Sequence, residues 1–193
     1  METDQAELLV TIASFLEHHN IPYMITGAWS VIYYGRPRAS HDIDFVVEMY
    51  KRDTKRILTA LHHIPHDFMI DIESAKNAVA LKGMFQVFHK ETLLKLDFWI
   101  LTDEGFDQSR FTRRQRVTVL DQPMYFASPE DTIIQKLRWY QMAKIEKHIV
   151  DAAFVYQIQK KNLDVKYLTT WIKKLRLLRY FNQVQKIDLA QYL

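Results

Sequence analysis

Two aspartates occupy alternate positions of an otherwise apolar run, Asp42-Ile43-Asp44-Phe45-Val46-Val47. A run this rich in β-branched and aromatic residues reads as a buried strand. Side chains on a strand alternate between its faces, so Asp42 and Asp44 share one face about 7 Å apart while Ile43 and Phe45 turn to the other. Like charges held this close repel one another unless a cation stands between them. The same chain has only four glycines in 193 residues, and one of them, Gly27, directly follows the apolar Tyr23-Met24-Ile25 run. A glycine at that junction lets the backbone approach a phosphate, and a helix opening there aims its amide donors and positive dipole end at the same place.

The pattern around these residues is mixed α/β. A helix is expected over residues 6–19, a short strand at 23–25, a helix from Gly27 to Tyr34, a strand at 42–47 and a helix at 51–61. Strands follow at 68–72, 84–89 and 93–101, with a helical turn or two over 74–81 and two short strands at 116–120 and 124–127. Ser128-Pro129-Glu130-Asp131 is a helix start, with an N-cap serine, proline at the first helical position and acids in the first turn. Four helices, 129–142, 146–159, 165–175 and 178–187, account for the rest. The expected fold is α/β (α+β), a small mixed sheet flanked by helices with a C-terminal helical bundle. Its expected division is an α/β domain over residues 1–127 and a helical region over 128–193.

Asp97, in Leu94-Lys95-Leu96-Asp97-Phe98-Trp99-Ile100, is a third carboxylate on an apolar strand, where an unpaired charge would be expensive. Mg²⁺ takes oxygen ligands, keeps several waters and binds through one or two carboxylates plus nucleotide phosphates, which suits Asp42, Asp44 and Asp97. The structural alternative is that Asp42 and Asp44 cap amides or pair with Arg36 and Arg38, and that Asp97 is a salt-bridged acid. Arg38 could bind phosphate or neutralise Asp42. Lys136 could reach a phosphate or remain a solvated lysine, and Asp151 could cap or pair within the helical tail.

Hydrophobic residues make up 48% and charged residues 25% of the chain, which excludes a disordered or fibrous class. With no cysteine there are no disulfides, thiolate metal sites or Cys nucleophiles, and a reducing, cytoplasmic setting is expected. Glu2 and Asp4 stand where a signal peptide would be basic, and no apolar run nears the ~20 residues of a membrane span, so neither export nor membrane insertion is expected. From Lys136 onward twelve Lys/Arg face four Asp/Glu, against an overall charge of only +3. An acidic site in the first part and a basic surface able to attract a polyanion in the second would explain that asymmetry, as would a lysine-rich tail that keeps itself solvated.

The glycine turn, the lead-in Arg38-Ala39-Ser40-His41-Asp42-Ile43-Asp44 and the downstream Ser-Pro-Glu-Asp helix ending in Lys136-Leu137 together resemble the DNA polymerase β-like nucleotidyltransferase superfamily. The likeness is to its bacterial and archaeal branch of abortive-infection and minimal toxin-antitoxin proteins, and it spans roughly residues 23 to 137. That family usually places glycine or serine after the turn glycine, where this chain has Ala28. The resemblance implies a nucleotidyltransferase fold in which Asp42, Asp44 and Asp97 hold Mg²⁺, two ions in the full arrangement, with Asp97 nearest the incoming hydroxyl. It also implies that the Gly27 turn and the Ser30 side receive an NTP, and the candidate nucleotide-binding residues are Gly27, Ala28, Ser30, Arg38 and Lys136. The implied reaction moves a nucleoside monophosphate to a hydroxyl of an RNA, a protein or a small molecule with release of pyrophosphate. The rival readings are a catalytically degenerate nucleotide- or RNA-binding module, and a toxin-antitoxin component with a small helical partner protein.

Overall fold

The computed structural model describes residues 5–40 and 42–192; Glu2, Asp4 and His41 lie outside the described residues. In chain order the elements are α1 (Gln5–His18), β1 (Tyr23–Thr26), α2 (Gly27–Tyr34), β2 (Asp42–Val47), α3 (Thr54–Leu61), β3 (Phe68–Ile70), α4 (Ile72–Leu81), β4 (Met84–His89) and β5 (Lys95–Ile100). They continue as α5 (Gly105–Thr112), β6 (Gln115–Val119), β7 (Gln122–Phe126), α6 (Pro129–Ala143), α7 (Glu146–Gln159), α8 (Val165–Lys174) and α9 (Leu178–Val184). Among the described residues no helix is long and apolar enough to cross a membrane.

The chain forms two compact units, one of residues up to Thr26 with Ser40–Phe126, the other of Gly27–Ala39 with the residues from Ala127 onward. The first holds a seven-stranded mixed sheet in the order β3-β4-β5-β2-β1-β7-β6. β2 runs parallel to β5, and β1 parallel to β7, while the other neighbours are antiparallel. Register puts Phe126, Ile25, Phe45, Phe98 and Phe85 in one cross-strand row, each no more than 1% exposed. Phe45 and Phe85 stack on either side of Phe98, with ring centroids 5.1 and 5.0 Å apart. Each such ring contributes about 1.5–3 kcal/mol through burial, and each stacked pair about 0.5–1.5 kcal/mol more. With this row fixed on one face, the period of two commits the neighbouring row of β2 and β5 to the opposite face.

Two elements differ from expectation. The helix anticipated from 74 begins at Ile72, because the Asp71 carboxylate accepts a hydrogen bond from the Glu73 amide at 3.0 Å and caps it. That cap takes Ile72 from the strand in which its sequence pattern placed it. Helix α5 was not anticipated; its buried contacts include the Arg110 Nε to Asp107 Oδ1 ion pair at 2.9 Å as well as Phe106 and Phe111.

In the second unit α6 and α7 supply a core of Ile133, Ile134, Leu137, Ala152, Ala153 and Val155, all fully buried. Ser128 caps α6, its Oγ accepting from the Asp131 amide at 3.2 Å and donating to Asp131 Oδ2 at 2.7 Å. The acids of that first turn are not solvated. Glu130 accepts the Asp164 amide at 2.7 Å and Asp131 the Tyr167 hydroxyl at 2.7 Å, so the Ser-Pro-Glu-Asp turn ties down the start of α8.

Candidate functional site

The parallel β2–β5 register sets Asp44 opposite Asp97 and Asp42 opposite Lys95. β1 adds Thr26 opposite Asp44, and β4 adds Gln86 opposite Asp97, so Thr26, Asp44, Asp97 and Gln86 make a polar row beside the phenylalanine row. Asp42, Asp44 and Asp97 therefore share one face of the sheet, as the alternation requires. Asp97 is 6% exposed; its Oδ1 accepts from Gln86 Nε2 at 3.0 Å and its Oδ2 lies 3.0 Å from Lys95 Nζ. Asp42 Oδ1 accepts from Ser40 Oγ at 2.9 Å. The Lys95 ammonium is held protonated above its usual range, first by its hydrogen bond to Asp97, with burial opposing and the charges of Asp97, Asp42 and Asp44 adding.

Hard carboxylate oxygens are the donors Mg²⁺ prefers, so the chemistry of the set fits that ion. Among the described residues, however, no three acidic or imidazole groups close on one point. Asp42 is engaged by Ser40 and Asp97 by Lys95 and Gln86, so a shared ion requires side-chain rotation on a backbone that already aligns the three.

A groove of about 550 Å³ in the same unit, lined by Met69, Ile70, Ser74, Met84, Gln86 and Phe88, adjoins this row. Gln86 belongs to both.

In the second unit Gly27 has φ 64°, a conformation that L side chains rarely adopt, and α2 starts at that residue. Ala28 is 4% and Ser30 0% exposed. The Ser30 hydroxyl donates to the Gly27 carbonyl at 3.1 Å, so its oxygen braces the turn.

Arg38 and Lys136 come together in this unit, on a residue the sequence reading placed outside the site. Asp151 Oδ2 lies 3.0 Å from Arg38 Nη2 and 2.9 Å from Lys136 Nζ. The three side chains are 1% (Asp151), 11% (Arg38) and 8% (Lys136) exposed, and Asp151 Oδ1 is buried without a hydrogen-bond partner. Lys136 is thus a buried ion-paired lysine and not a solvated one. Nearby His148 is held below its ordinary value of 6.5 by burial first and by the Lys136 charge next, with Asp151 opposing. The signal that could have singled out Asp151 was its setting in Ile149-Val150-Asp151-Ala152-Ala153-Phe154, an acid inside an apolar helix face that must be paired.

Residues 8–107 match the model of a family described as aminoglycoside-2''-adenylyltransferase. Among curated proteins no sequence matches. Similar solved structures include ANT(2'')-Ia in complex with adenylyl-2''-tobramycin, at 16% identity and TM-score 0.61 over 92% of this chain and 99% of that one. The lincomycin-bound lincosamide antibiotic adenylyltransferase LnuA aligns at 17% identity and TM-score 0.52 over 81% and 98%. An antigenic nucleotidyltransferase-like protein from Paracoccidioides brasiliensis aligns at 19% identity and TM-score 0.59 over 98% and 92%. At these identities the likeness is one of fold.

Proposed function

For a chain that belongs to the aminoglycoside-2''-adenylyltransferase family, we propose that this nucleotidyltransferase moves a nucleoside monophosphate from an NTP to a hydroxyl of a small-molecule acceptor, releasing pyrophosphate. The observation that carries the reading is the register pairing of Asp44 with Asp97, with Asp42 two residues along the same face.

In this reading Asp42, Asp44 and Asp97 hold Mg²⁺. Bound there, the ions offset charge on the attacking and leaving oxygens of an in-line displacement. Asp97, buried and oriented by Gln86, accepts the proton of the acceptor hydroxyl. The hydroxyl oxygen forms a bond to the α-phosphorus while the bond to the bridging oxygen of the β-phosphate breaks. Gly27 and Ala28 present the amides of the α2 N-terminus to phosphate, and Ser30 keeps that turn closed through the Gly27 carbonyl. Arg38 and Lys136, held by Asp151, neutralise phosphate charge.

The relatives act on, or are bound to, antibiotics, which directs the acceptor to small molecules ahead of RNA, a protein or a small helical partner. The groove that shares Gln86 with Asp97 offers such an acceptor a seat of mixed character, with Asp71, Ser74 and Gln86 beside Met69, Met84 and Phe88. The Lys95–Asp97 ion pair favours one rival, a binding module that has lost its chemistry. Incubation with Mg²⁺, labelled NTPs and a panel of aminoglycosides and lincosamides separates the two. Product formation that disappears in both Asp42→Asn and Asp44→Asn supports transfer. Full activity in both variants refutes the assignment, and NTP binding without turnover on any acceptor favours the module.

A further inference from the structure

Lys95 is a cation that the structure places against Asp97, on the sheet face that also carries Asp42 and Asp44. It sits opposite Asp42 in the β2–β5 register and two residues before Asp97 on the same face. Its Nζ lies 3.0 Å from Asp97 Oδ2, and its side chain is 34% exposed where that of Asp97 is 9%. The carboxylate is therefore fixed in the sheet, whereas the ammonium rides on a flexible four-carbon stem that reaches solvent. A divalent ion that takes Asp97 Oδ2 meets the ammonium already there, and two cations cannot share one carboxylate oxygen at contact distance without strong repulsion.

Resting on the metal-dependent reading above, we propose that Lys95 is a resident counter-ion of the Asp42–Asp44–Asp97 cluster, one that a divalent ion must displace in order to bind. Without metal, Lys95 relieves the repulsion among three carboxylates and keeps Asp97 in place. With metal, the stem swings outward and frees Asp97 Oδ2. The strength of the Lys95–Asp97 pair then sets how much free metal the protein needs, a restraint built in by one side chain outside the carboxylate set.

The test measures Mn²⁺ binding to the full chain without nucleotide, by the loss of the free-ion electron paramagnetic resonance signal, together with thermal melting in chelator and in Mn²⁺. Lys95→Met removes the competitor, and its Mn²⁺ dissociation constant is expected to fall about fivefold, the equivalent of a partly exposed ion pair. The same variant is expected to melt below the parent in chelator and to gain more from Mn²⁺ than the parent does. Lys95→Arg keeps a cation and is expected to stay near the parent; Lys95→Gln serves if the methionine variant does not fold. Unchanged or weaker Mn²⁺ binding in the neutral variants overturns the proposal while leaving the metal site standing. If neither the parent nor any Lys95 variant binds Mn²⁺, and Asp97→Asn changes nothing, the metal reading itself falls and takes the proposal with it.

Discussion

Replacing Asp151 by Asn changes one oxygen to an amide nitrogen, keeps the volume of the side chain and removes its charge. Arg38 and Lys136, 3.0 and 2.9 Å away and nearly buried, then lose the carboxylate that both contact. Removing one partner of a buried ion pair costs about 3–5 kcal/mol, because the remaining charge is neither solvated nor compensated. A domain of this size is stable by only about 5–15 kcal/mol, and each kcal/mol moves its melting temperature by roughly 2–4 °C. Asp151→Asn is therefore expected to melt at least about 6 °C below the parent and to unfold at lower urea. The decisive measurement is the double variant. Lys136→Met in the Asp151→Asn background removes one of the two cations that lost this carboxylate, so Asp151→Asn/Lys136→Met is expected to be more stable than Asp151→Asn alone. A coupling of at least about 1 kcal/mol in the double-mutant cycle is the expected sign. Additive effects, or an Asp151→Asn protein within about 0.5 kcal/mol of the parent, would refute the claim that this carboxylate holds both cations.

Two further outcomes follow from the helical unit. An alanine Cβ at Gly35 would stand 2.9 Å from the Val31 carbonyl oxygen and 3.2 Å from Val155 Cγ2, and neither the helix backbone nor a packed valine yields cheaply. Gly35→Ala is expected to lose about 1–3 kcal/mol in urea unfolding, and an unchanged midpoint would show that α2 is not packed this closely on α7. His148 is depressed below 6.5 in the folded protein, so the unfolded chain takes up the proton first. Its contribution is present above pH 6.5 and is lost as pH falls through the folded value. His148→Gln is expected to flatten that part of the decline in urea midpoint between pH 7.5 and 5.5; an identical decline in parent and variant would place the pH sensitivity elsewhere.

Much of this architecture is legible because single periodicities decide it. Asp42–Val47 reads as a strand from its alternation, and once Ile43 and Phe45 enter the core the aspartates have only one face to occupy. Gly27 is legible because a scarce residue sits where the backbone needs a positive φ, and Ser128 because its cap chemistry is local. Helix α5 escapes because Gly105-Phe106-Asp107-Gln108-Ser109-Arg110 has too few apolar positions to show a stripe. Its Arg110–Asp107 pair is buried by tertiary packing that the local sequence does not display. Asp151 escapes for a related reason. Its partners lie 113 positions away at Arg38 and fifteen away at Lys136, and neither periodicity nor capping carries information over such separations.

What the charges demand gives the two constellations a common logic. On the sheet, Lys95 pairs with Asp97 on the face that also carries Asp42 and Asp44. In the helical unit, Arg38 and Lys136 both contact the Asp151 carboxylate. Neither arrangement serves stability best, since an apolar replacement of a buried ion set of similar volume is often neutral or stabilising. Each constellation is open to a test of its own, a divalent cation for the carboxylates of the sheet and inorganic triphosphate for the guanidinium and ammonium of the helical unit. Asp44→Asn is expected to abolish the Mn²⁺ dependence of nucleotide binding while leaving a weak, metal-independent affinity for inorganic triphosphate, and Lys136→Met to do the reverse. If Lys136→Met leaves triphosphate affinity unchanged, the buried cations of the helical unit are scaffolding.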